Sequence, residues 1–207
     1  QCYGLSESTS ATVYLETARA LDKLGSAGRA MMMAEIRLID ADGRPLHQPG
    51  VRGEICARGG NVSPGYWGNP EATAAAIDAD GWLRTGDVGF LDDEGFLFVV
   101  DRVKDMIITG GENVYPAEVE SLLFEHPAIA NVSVIGRPDD RWGERVVAVV
   151  VVRDGHGLDL DQLQAFCGDR LARYKVPREL RLMDELPLNA SGKVVKTTLR
   201  TMILEDA

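Results

Sequence analysis

The sequence predicts an α+β protein with a β-rich first half and a mixed second half. Residues 24–100 consist of short apolar stretches separated by glycine-containing turns, a pattern typical of a distorted sheet or small barrel. From residue 102 the pattern becomes strand, helix, strand, strand and helix, which predicts a compact α+β domain. We therefore expect one domain over residues 1–101 and a second over residues 102–207.

The composition is that of a globular protein and excludes several classes of function. The net charge of −10 would repel phosphates, so the chain is not expected to bind nucleic acid or an anionic membrane. No apolar run is long enough to form a transmembrane segment. Cys2, Cys56 and Cys167 are far apart in the chain and predict neither a disulfide framework nor a zinc site. This cysteine usage, without a signal peptide, favours a cytoplasmic protein.

Local patterns place elements in the first half. Glu35–Ile39 alternates polar and apolar residues, and the following Asp42-Gly43 is a strong hairpin signal. Pro70 is expected to start a short helix that runs to about Ile77.

Bulky apolar residues also occur near turns of this half. Tyr66 and Trp67 are expected to be packing residues. The run Met31–Met33 is expected to pack or to lie in a mobile segment, and not to bind a metal.

The second half is predicted from periodicity. The continuous apolar run Val146–Val152 predicts a strand that is buried on both faces. Ile129–Ile135 alternates as a strand. An amphipathic helix is expected over Leu160–Leu171, and a shorter helix from Pro116 to Phe124.

The stretch Asp101–Glu120, DRVKDMIITGGENVYPAEVE, joins the two halves. It runs from charged residues through a short apolar strand into Gly110-Gly111 and ends in a helix start at Pro116. Paired glycines allow positive φ and let another molecule approach the backbone closely. Taken alone, the pair is explained by a tight connection between a strand and a helix.

Four stretches, in order along the chain, carry a resemblance to a known family. They are YGLSE at Tyr3–Glu7, WLRTGD at Trp82–Asp87, the stretch at Asp101–Glu120, and PLNASGK at Pro187–Lys193. In this order they resemble the adenylate-forming superfamily, and GGENVYPAEVE is most similar to its acyl-CoA and aryl-CoA synthetases. The resemblance implies a β-rich subdomain that closes a large adenylation domain, followed by a small mobile α+β lid domain.

The resemblance assigns nucleotide contacts to YGLSE. It implies that Tyr3 lies against adenine, that Gly4 belongs to the same site, that Ser6 contacts phosphate and that Glu7 holds Mg²⁺. Serine stands where the family usually has threonine, which keeps the hydroxyl. An aromatic face suits a base, and a hard carboxylate suits magnesium. Without the resemblance, these residues would be interpreted as a solvated loop.

Two further nucleotide contacts are implied near the middle of the chain. Asp87 corresponds to the family's TGD aspartate, which accepts hydrogen bonds from the ribose hydroxyls. A lone aspartate in a turn would otherwise be a cap. Arg102 corresponds to a second ribose or phosphate contact.

In the second half, the resemblance implies a hinge, a tunnel and a catalytic lysine. Lys104 is the implied hinge, and Gly110 and Gly111 line the tunnel for the pantetheine arm of coenzyme A. Flexible small residues deliver Lys193 to the carboxylate oxygen and the α-phosphate. Without the motifs, both lysines would be ordinary solvated lysines, and Lys196 is expected to be a surface residue.

The implied parent enzyme carries out two reactions. A carboxylic acid reacts with Mg·ATP to give acyl-AMP and pyrophosphate, and coenzyme A then displaces AMP to give a thioester. The resemblance favours a fatty-acid CoA ligase and leaves open an aryl-CoA ligase, a fatty-acyl-AMP ligase or an adenylation domain. A different class of function is a half-enzyme that only binds nucleotide or a partner.

The chain opens directly on YGLSE at Tyr3–Glu7. Family members carry several hundred residues before this motif, including a phosphate loop and most of the acyl pocket. We therefore expect the chain to be the C-terminal part of a larger enzyme, to have the missing N-terminal half as its partner, and to be inactive alone.

Overall fold

The structure, a computed structural model, describes residues 1–205 and divides into two compact units, Gln1–Val103 and Lys104–Ala207. Both units contain helices and strands, which confirms the predicted α+β class. The identities predicted for domains 1–101 and 102–207 stay predictions, since compactness alone does not tell what a domain does.

The first unit is built from eight strands and one helix. The strands are β1 (Cys2–Leu5), β2 (Ser10–Tyr14), β3 (Arg29–Ala30), β4 (Ala34–Ile39), β5 (Pro45–Leu46), β6 (Gly53–Gly59), β7 (Leu83–Leu91) and β8 (Leu97–Arg102). They form an antiparallel sheet of order β1-β2-β3 and another of order β5-β4-β6-β7-β8. The helix α1 (Pro70–Ala76) starts at the predicted proline, and 3₁₀ turns cover Ser6–Ser8 and Thr17–Arg19.

The core of the first unit draws residues from both sheets. Its buried cluster comprises Val13, Ala27, Leu38, Ile55 and Leu97. Gly28 adjoins this cluster, with φ +112, and a Cβ there would lie 2.0 Å from the carbonyl carbon of Tyr14. The chain can therefore pass this point only as glycine.

The hairpin predicted at Asp42-Gly43 is confirmed, because it joins β4 to β5 in register and Gly43 has φ +79. The packing predicted for Trp67 is wrong, because its side chain is fully exposed. Met32 is exposed as well, which removes packing as the explanation for it and leaves the other expectation, a mobile segment, as a prediction. Both lie in connections outside the strands, where alternation cannot indicate a buried face.

As far as residue 205, the second unit contains five strands and three α-helices. The strands are β9 (Ile107–Thr109), β10 (Glu112–Val114), β11 (Ile129–Asp139), β12 (Gly143–Val152) and β13 (Glu179–Leu182). The helices are α2 (Pro116–Leu123), α3 (Leu160–Cys167) and α4 (Lys196–Glu205). The sheet has the order β10-β9-β12-β11, with β13 parallel to β12.

Strand β12 is buried on both faces, as predicted from its apolar run. One face packs Val146, Ala148 and Val150 into a cluster with residues of α2 and α3. The other face packs Val147 and Val149 into a cluster with residues of α4. The sheet of the second unit therefore lies between two helical layers, which gives a three-layer arrangement.

Two predictions for the second unit need correction. The glycine pair does not connect a strand directly to a helix, because Gly110 and Gly111 form the turn of a β9–β10 hairpin before α2 begins. Strand β10 is only three residues long and gives no periodic signal. The helix expected to reach Leu171 ends at Cys167, since Gly168 terminates it and a 3₁₀ turn follows.

Among the described residues, no helix combines the length and the apolar character needed to cross a membrane. All three cysteines are free thiols; Cys2 is exposed, and Cys56 and Cys167 are buried.

Candidate functional site

Three residues assigned to the nucleotide by resemblance meet in the first unit. The Tyr3 hydroxyl donates a hydrogen bond to Asp87 Oδ2 at 2.8 Å. Arg102 Nε lies 3.3 Å from Asp87 Oδ1. Strand pairing accounts for the second contact, because β7 places Asp87 opposite Arg102 on β8. Tyr3 reaches Asp87 from β1, which belongs to the other sheet. The group offers an aromatic face, a carboxylate that accepts hydrogen bonds and a cation.

The surroundings of Tyr3 keep its hydroxyl protonated. Burial is the largest cause that raises the pKa of Tyr3 above its ordinary value, and the charge of Asp87 raises it further. A hydrogen bond with Thr85 partly offsets these effects. Tyr3 therefore remains a donor to the Asp87 carboxylate across the neutral pH range.

Glu7 lies in the 3₁₀ turn that follows β1, and its Oε1 accepts a hydrogen bond from the Tyr66 hydroxyl at 2.8 Å. The backbone carbonyl of Glu7 also accepts from Ser63 N at 2.8 Å. These two bonds hold the glutamate against the loop after β6. Gly4 and Ser6 are exposed beside it on β1 and the same turn.

The residues around Glu7 fit a magnesium ion that takes most of its ligands from the substrate and few from the protein. Mg²⁺ commonly uses one or two carboxylates together with phosphate oxygens and water. The hydrogen bond from Tyr66 uses Oε1 of Glu7, and among the side chains that the structure describes none bonds the other oxygen, which can serve as such a ligand. Among residues 1–205, the three-acid cluster with metal-ligand spacing is elsewhere, at Asp92–Glu94. That cluster is engaged by Lys23, whose Nζ lies 2.6 Å from Asp92 Oδ2.

The glycine pair forms a tight turn against a tryptophan in the second unit. Gly110 and Gly111 have φ of +60 and +84, and Gly110 N donates to the Trp142 carbonyl at 2.8 Å. A Cβ on Gly110 would lie 3.2 Å from Trp142 Cε3, whereas a Cβ on Gly111 would meet open space. Glu144 Oε2 accepts from Ile108 N at 2.7 Å and fixes the adjoining strand. One face of this turn is therefore closed and the other is open.

Lys104 is exposed in the 3₁₀ turn Val103–Asp105, at the first position of the second unit. The next residue, Asp105, is anchored by Arg200 of α4, with 3.2 Å between Oδ1 and Nη2. A fixed residue directly after a solvent-exposed one is compatible with a hinge at Lys104.

Lys193 lies on a closed loop before α4, and its side chain is exposed. Hydrogen bonds within the loop define its conformation, and the flexibility expected from its small residues stays a prediction. Leu188 and Val194 pair across its base, and Val195 N donates to the Pro187 carbonyl at 2.8 Å. The Asn189 side chain closes it from inside by accepting from Lys193 N at 2.9 Å.

The prediction that Lys196 is a surface residue is wrong. Its Nζ lies 2.8 Å from Glu120 Oε1 and donates to the Val134 carbonyl at 3.2 Å. Its side chain is only 16% exposed. The partner Glu120 comes from α2, so the sequence near Lys196 carries no signal of the pairing.

Sequence reasoning also missed the partners that position the candidate residues. The sequence predicts packing for Tyr66, whereas its hydroxyl donates a hydrogen bond to Glu7 Oε1. The motif that contains Asn189 gives it no role of its own, whereas its side chain closes the loop of Lys193. The signal for Asn189 was present in the chain, since an Asp or Asn three residues before a glycine recurs at several turns.

Two family models match the chain. Residues 1–67 match the model for AMP-binding enzymes, and residues 118–193 match the model for the AMP-binding enzyme C-terminal domain. The first range includes Tyr3 and Glu7, and the second ends at Lys193.

Characterised relatives match nearly all of the chain but only part of their own length. An indoleacetate–CoA ligase of Aromatoleum aromaticum is 49% identical over 203 residues, which is 98% of this chain and 39% of that protein. A long-chain fatty-acid–CoA ligase, FadD13 of Mycobacterium tuberculosis, is 46% identical over 200 residues, or 97% of this chain and 39% of that protein. The chain thus spans about two fifths of the length of these relatives.

Solved structures agree with the sequence relatives. The o-succinylbenzoate CoA synthetase MenE of Bacillus subtilis, in complex with its acyl-adenylate intermediate, superposes with a TM-score of 0.88 at 42% identity. The match covers 97% of this chain and 40% of that enzyme. The same enzyme was also solved with ATP and a magnesium ion. With two family models, these relatives and this structural match in agreement, the chain belongs to the adenylate-forming superfamily of AMP-binding enzymes.

Proposed function

We propose that this chain is the C-terminal part of an AMP-forming acid–CoA ligase and works with an N-terminal part that carries the phosphate loop and the acyl pocket. The observation that carries this proposal is the meeting of Tyr3, Asp87 and Arg102. Tyr3 and Asp87 are 84 residues apart in the chain and yet share a hydrogen bond. Such a group is suited to a nucleoside, since a carboxylate accepts from vicinal hydroxyls and a ring stacks on a base.

The first unit supplies the nucleotide contacts in this proposal. Tyr3 and Gly4 border the adenine, Asp87 accepts from the ribose hydroxyls, and Arg102 adds a cation near the ribose or phosphate. Ser6 contacts a phosphate oxygen. Glu7 holds Mg²⁺, which neutralises charge on the phosphates of ATP when it is bound.

The second unit supplies the lysine and the thiol route. The Lys193 ammonium stabilises charge that develops on the α-phosphate when the carboxylate attacks. The open face at Gly111 accepts the pantetheine arm of coenzyme A. Lys104 is the hinge between the adenylation and thioester-forming arrangements. No side chain of this mechanism forms a covalent intermediate, so positioning and electrostatics provide the catalysis.

Two relatives that are nearly equally similar to this chain are named for different classes of carboxylic acid. One is named for indoleacetate and the other for long-chain fatty acids. Both aryl and fatty acids are therefore substrates to test in the parent enzyme, meaning this chain together with its N-terminal part. The free thiols support our placement of this enzyme in the cytoplasm.

The test of this function is Lys193→Ala in the parent enzyme. We expect adenylation, measured by ATP–pyrophosphate exchange, to fall by about 100-fold or more, as when a group that stabilises developing charge is removed. Thioester formation from supplied acyl-AMP should change little. The control is Arg44→Ala, which removes an exposed cation from a turn of the first unit. Equal loss of both half-reactions would contradict the role of Lys193.

The alternative function, a half-enzyme that only binds, is tested with the 207-residue chain alone. We expect AMP binding that is measurable by calorimetry and weakened by Asp87→Ala, but no acyl-AMP, because the phosphate loop is outside this chain. Formation of acyl-AMP by the chain alone would contradict the division of the site between two parts.

A further inference from the structure

The loop that carries Lys193 repeats a five-residue turn found three times in the first unit. In each turn, the side chain of the first residue accepts from the backbone N–H groups two and four positions later. The four turns begin at Asp40, Asp78, Asp92 and Asn189. Each has glycine at its fourth position, with φ of +79, +81, +80 and +78 respectively. The backbone hydrogen bonds are also the same in all four turns. The N–H of the first residue donates to the carbonyl of the fifth, and the N–H of the glycine donates to the carbonyl of the first.

The Lys193 turn differs from the other three in charge. The other turns begin with aspartate, and two of these carboxylates bind a cation with their second oxygen. Asp78 Oδ2 lies 2.9 Å from Arg37 Nη2, and Asp92 Oδ2 lies 2.6 Å from Lys23 Nζ. Asparagine at position 189 gives the same acceptor oxygen to the turn without a charge.

At the third position of the turn, too, the Lys193 turn has a neutral residue where the first turn has an acid. In the first turn, Asp42 stands at this position and its carboxylate lies 2.9 Å from Arg44, the cation at the fifth position. In the last turn, Ser191 stands at the third position and Lys193 at the fifth. Ser191 Oγ donates to Asn189 Oδ1 at 2.8 Å instead of facing the lysine with a charge.

We propose that this turn is built to hold Lys193 in a fixed position while leaving its ammonium unpaired, with Asn189 as the positioning residue and Ser191 as the neutral neighbour. Among residues 1–205, the Lys193 side chain has neither an ion pair nor a hydrogen bond. A carboxylate at the first or third position would compete with the substrate phosphate for this ammonium. The inference rests on the proposed function of Lys193.

Two variants of the parent enzyme separate the two parts of the proposal. Asn189→Ala removes the acceptor of the turn, and adenylation should fall by about 10-fold or more because the lysine is no longer held in place. Amide hydrogen exchange at Lys193 should become faster in this variant. Ser191→Asp recreates the Asp42–Arg44 arrangement, so the turn stays closed but the ammonium becomes paired.

For Ser191→Asp we expect adenylation to fall several-fold and to recover in part as salt is added, since salt screens exposed ion pairs. Amide exchange at Lys193 should stay as in the unmodified enzyme. Ser191→Ala is the matched control, because it removes the hydroxyl without adding charge, and its adenylation should stay near normal. Both test variants should keep thioester formation from supplied acyl-AMP within about two-fold, whereas general destabilisation of the second unit would lower both half-reactions.

The outcomes also separate this inference from the proposed function. Lys193→Ala is measured in parallel, and unchanged adenylation in that variant would contradict the proposed function itself. If Lys193→Ala abolishes adenylation but Asn189→Ala leaves it unchanged, Asn189 is not the positioning residue. If the adenylation rate of Ser191→Asp equals that of Ser191→Ala at low salt, the neutrality of the turn has no role and that part of the proposal is overturned.

Discussion

The Tyr3 hydroxyl donates a hydrogen bond to Asp87 at 2.8 Å, and this bond links the first strand of the first unit to the second-last strand of its larger sheet. The carboxylate proposed to bind ribose is thus held by a residue proposed to border adenine. A carboxylate that is already oriented loses less freedom when a nucleotide binds.

The first prediction concerns nucleotide affinity. Tyr3→Phe keeps the ring but removes the donor to Asp87, so we expect AMP to bind about 3- to 10-fold more weakly, the loss typical of one hydrogen bond. Calorimetry on the parent enzyme measures this change. Tyr14→Phe is the control, since Tyr14 lies on β2 and is exposed. Unchanged affinity in Tyr3→Phe would mean that the bond does not orient Asp87 for the nucleotide.

The second prediction concerns stability at high pH. The pKa of Tyr3 is raised in the folded state, mainly by burial, so its contribution to stability is complete below the unfolded pKa of about 10. That contribution is lost as the pH rises further, because the unfolded state then releases the proton more readily. Tyr3→Phe should therefore lose less stability than the unmodified chain between about pH 9 and about pH 11. Urea unfolding of both chains at the two pH values tests this, and an equal loss would contradict it.

The third prediction separates the two glycines of the β9–β10 turn. Alanine at either position must adopt positive φ, which costs about 1–2 kcal/mol. Only at Gly110 would the new methyl also press on Trp142. Gly110→Ala should therefore destabilise the second unit more than Gly111→Ala does, as measured by urea unfolding.

Gly155→Ala is the matched control for these two variants, because Gly155 has φ +75 and open space around it. The loss of unfolding free energy in Gly155→Ala should equal that in Gly111→Ala. A larger cost at Gly111 than at Gly110 would show that contact with Trp142 does not determine the difference. Under the proposed function, both turn variants should also slow thioester formation more than adenylation.

Local sequence patterns predict much of this fold, but they do not predict which residues far apart in the chain pair with each other. The hairpin at Asp42-Gly43 was predictable, because the residues that define it are adjacent in the chain. The two-sided burial of β12 was predictable from its unbroken apolar run. Strand β10 was missed, since three residues hardly show a period.

In the candidate site, too, the sequence indicates individual residues but not the contacts between them. Motif resemblance points to Tyr3 and Asp87 individually, and only the fold, which brings strands of two different sheets together, shows that they touch. The roles of Tyr66 and Lys196 were misjudged because each depends on a partner more than fifty residues away, namely Glu7 and Glu120. A side chain's neighbours across the chain are set by topology, which a single sequence pattern does not contain.

The last prediction concerns the pairing of Glu120 with Lys196. Glu120 Oε1 accepts from Val134 N at 2.7 Å and lies 2.8 Å from Lys196 Nζ, so one carboxylate holds both edge strand β11 and the start of α4. The two side chains are 19% and 16% exposed. Glu120→Ala removes the carboxylate from the largely buried Lys196 ammonium, which keeps the Val134 carbonyl, and takes this acceptor from the Val134 amide. We expect it to destabilise the second unit by about 2–3 kcal/mol.

A double-mutant cycle with Lys196→Ala measures the pairing itself. We expect a coupling free energy of about 1 kcal/mol or more, and faster hydrogen exchange at the Val134 amide in Glu120→Ala. The matched control is the pair Glu125–Arg170, whose side chains are 60% and 45% exposed. Its coupling should be below about 0.5 kcal/mol, because solvent screens exposed charges. Equal coupling in the two pairs would show that burial does not strengthen the Glu120–Lys196 pair.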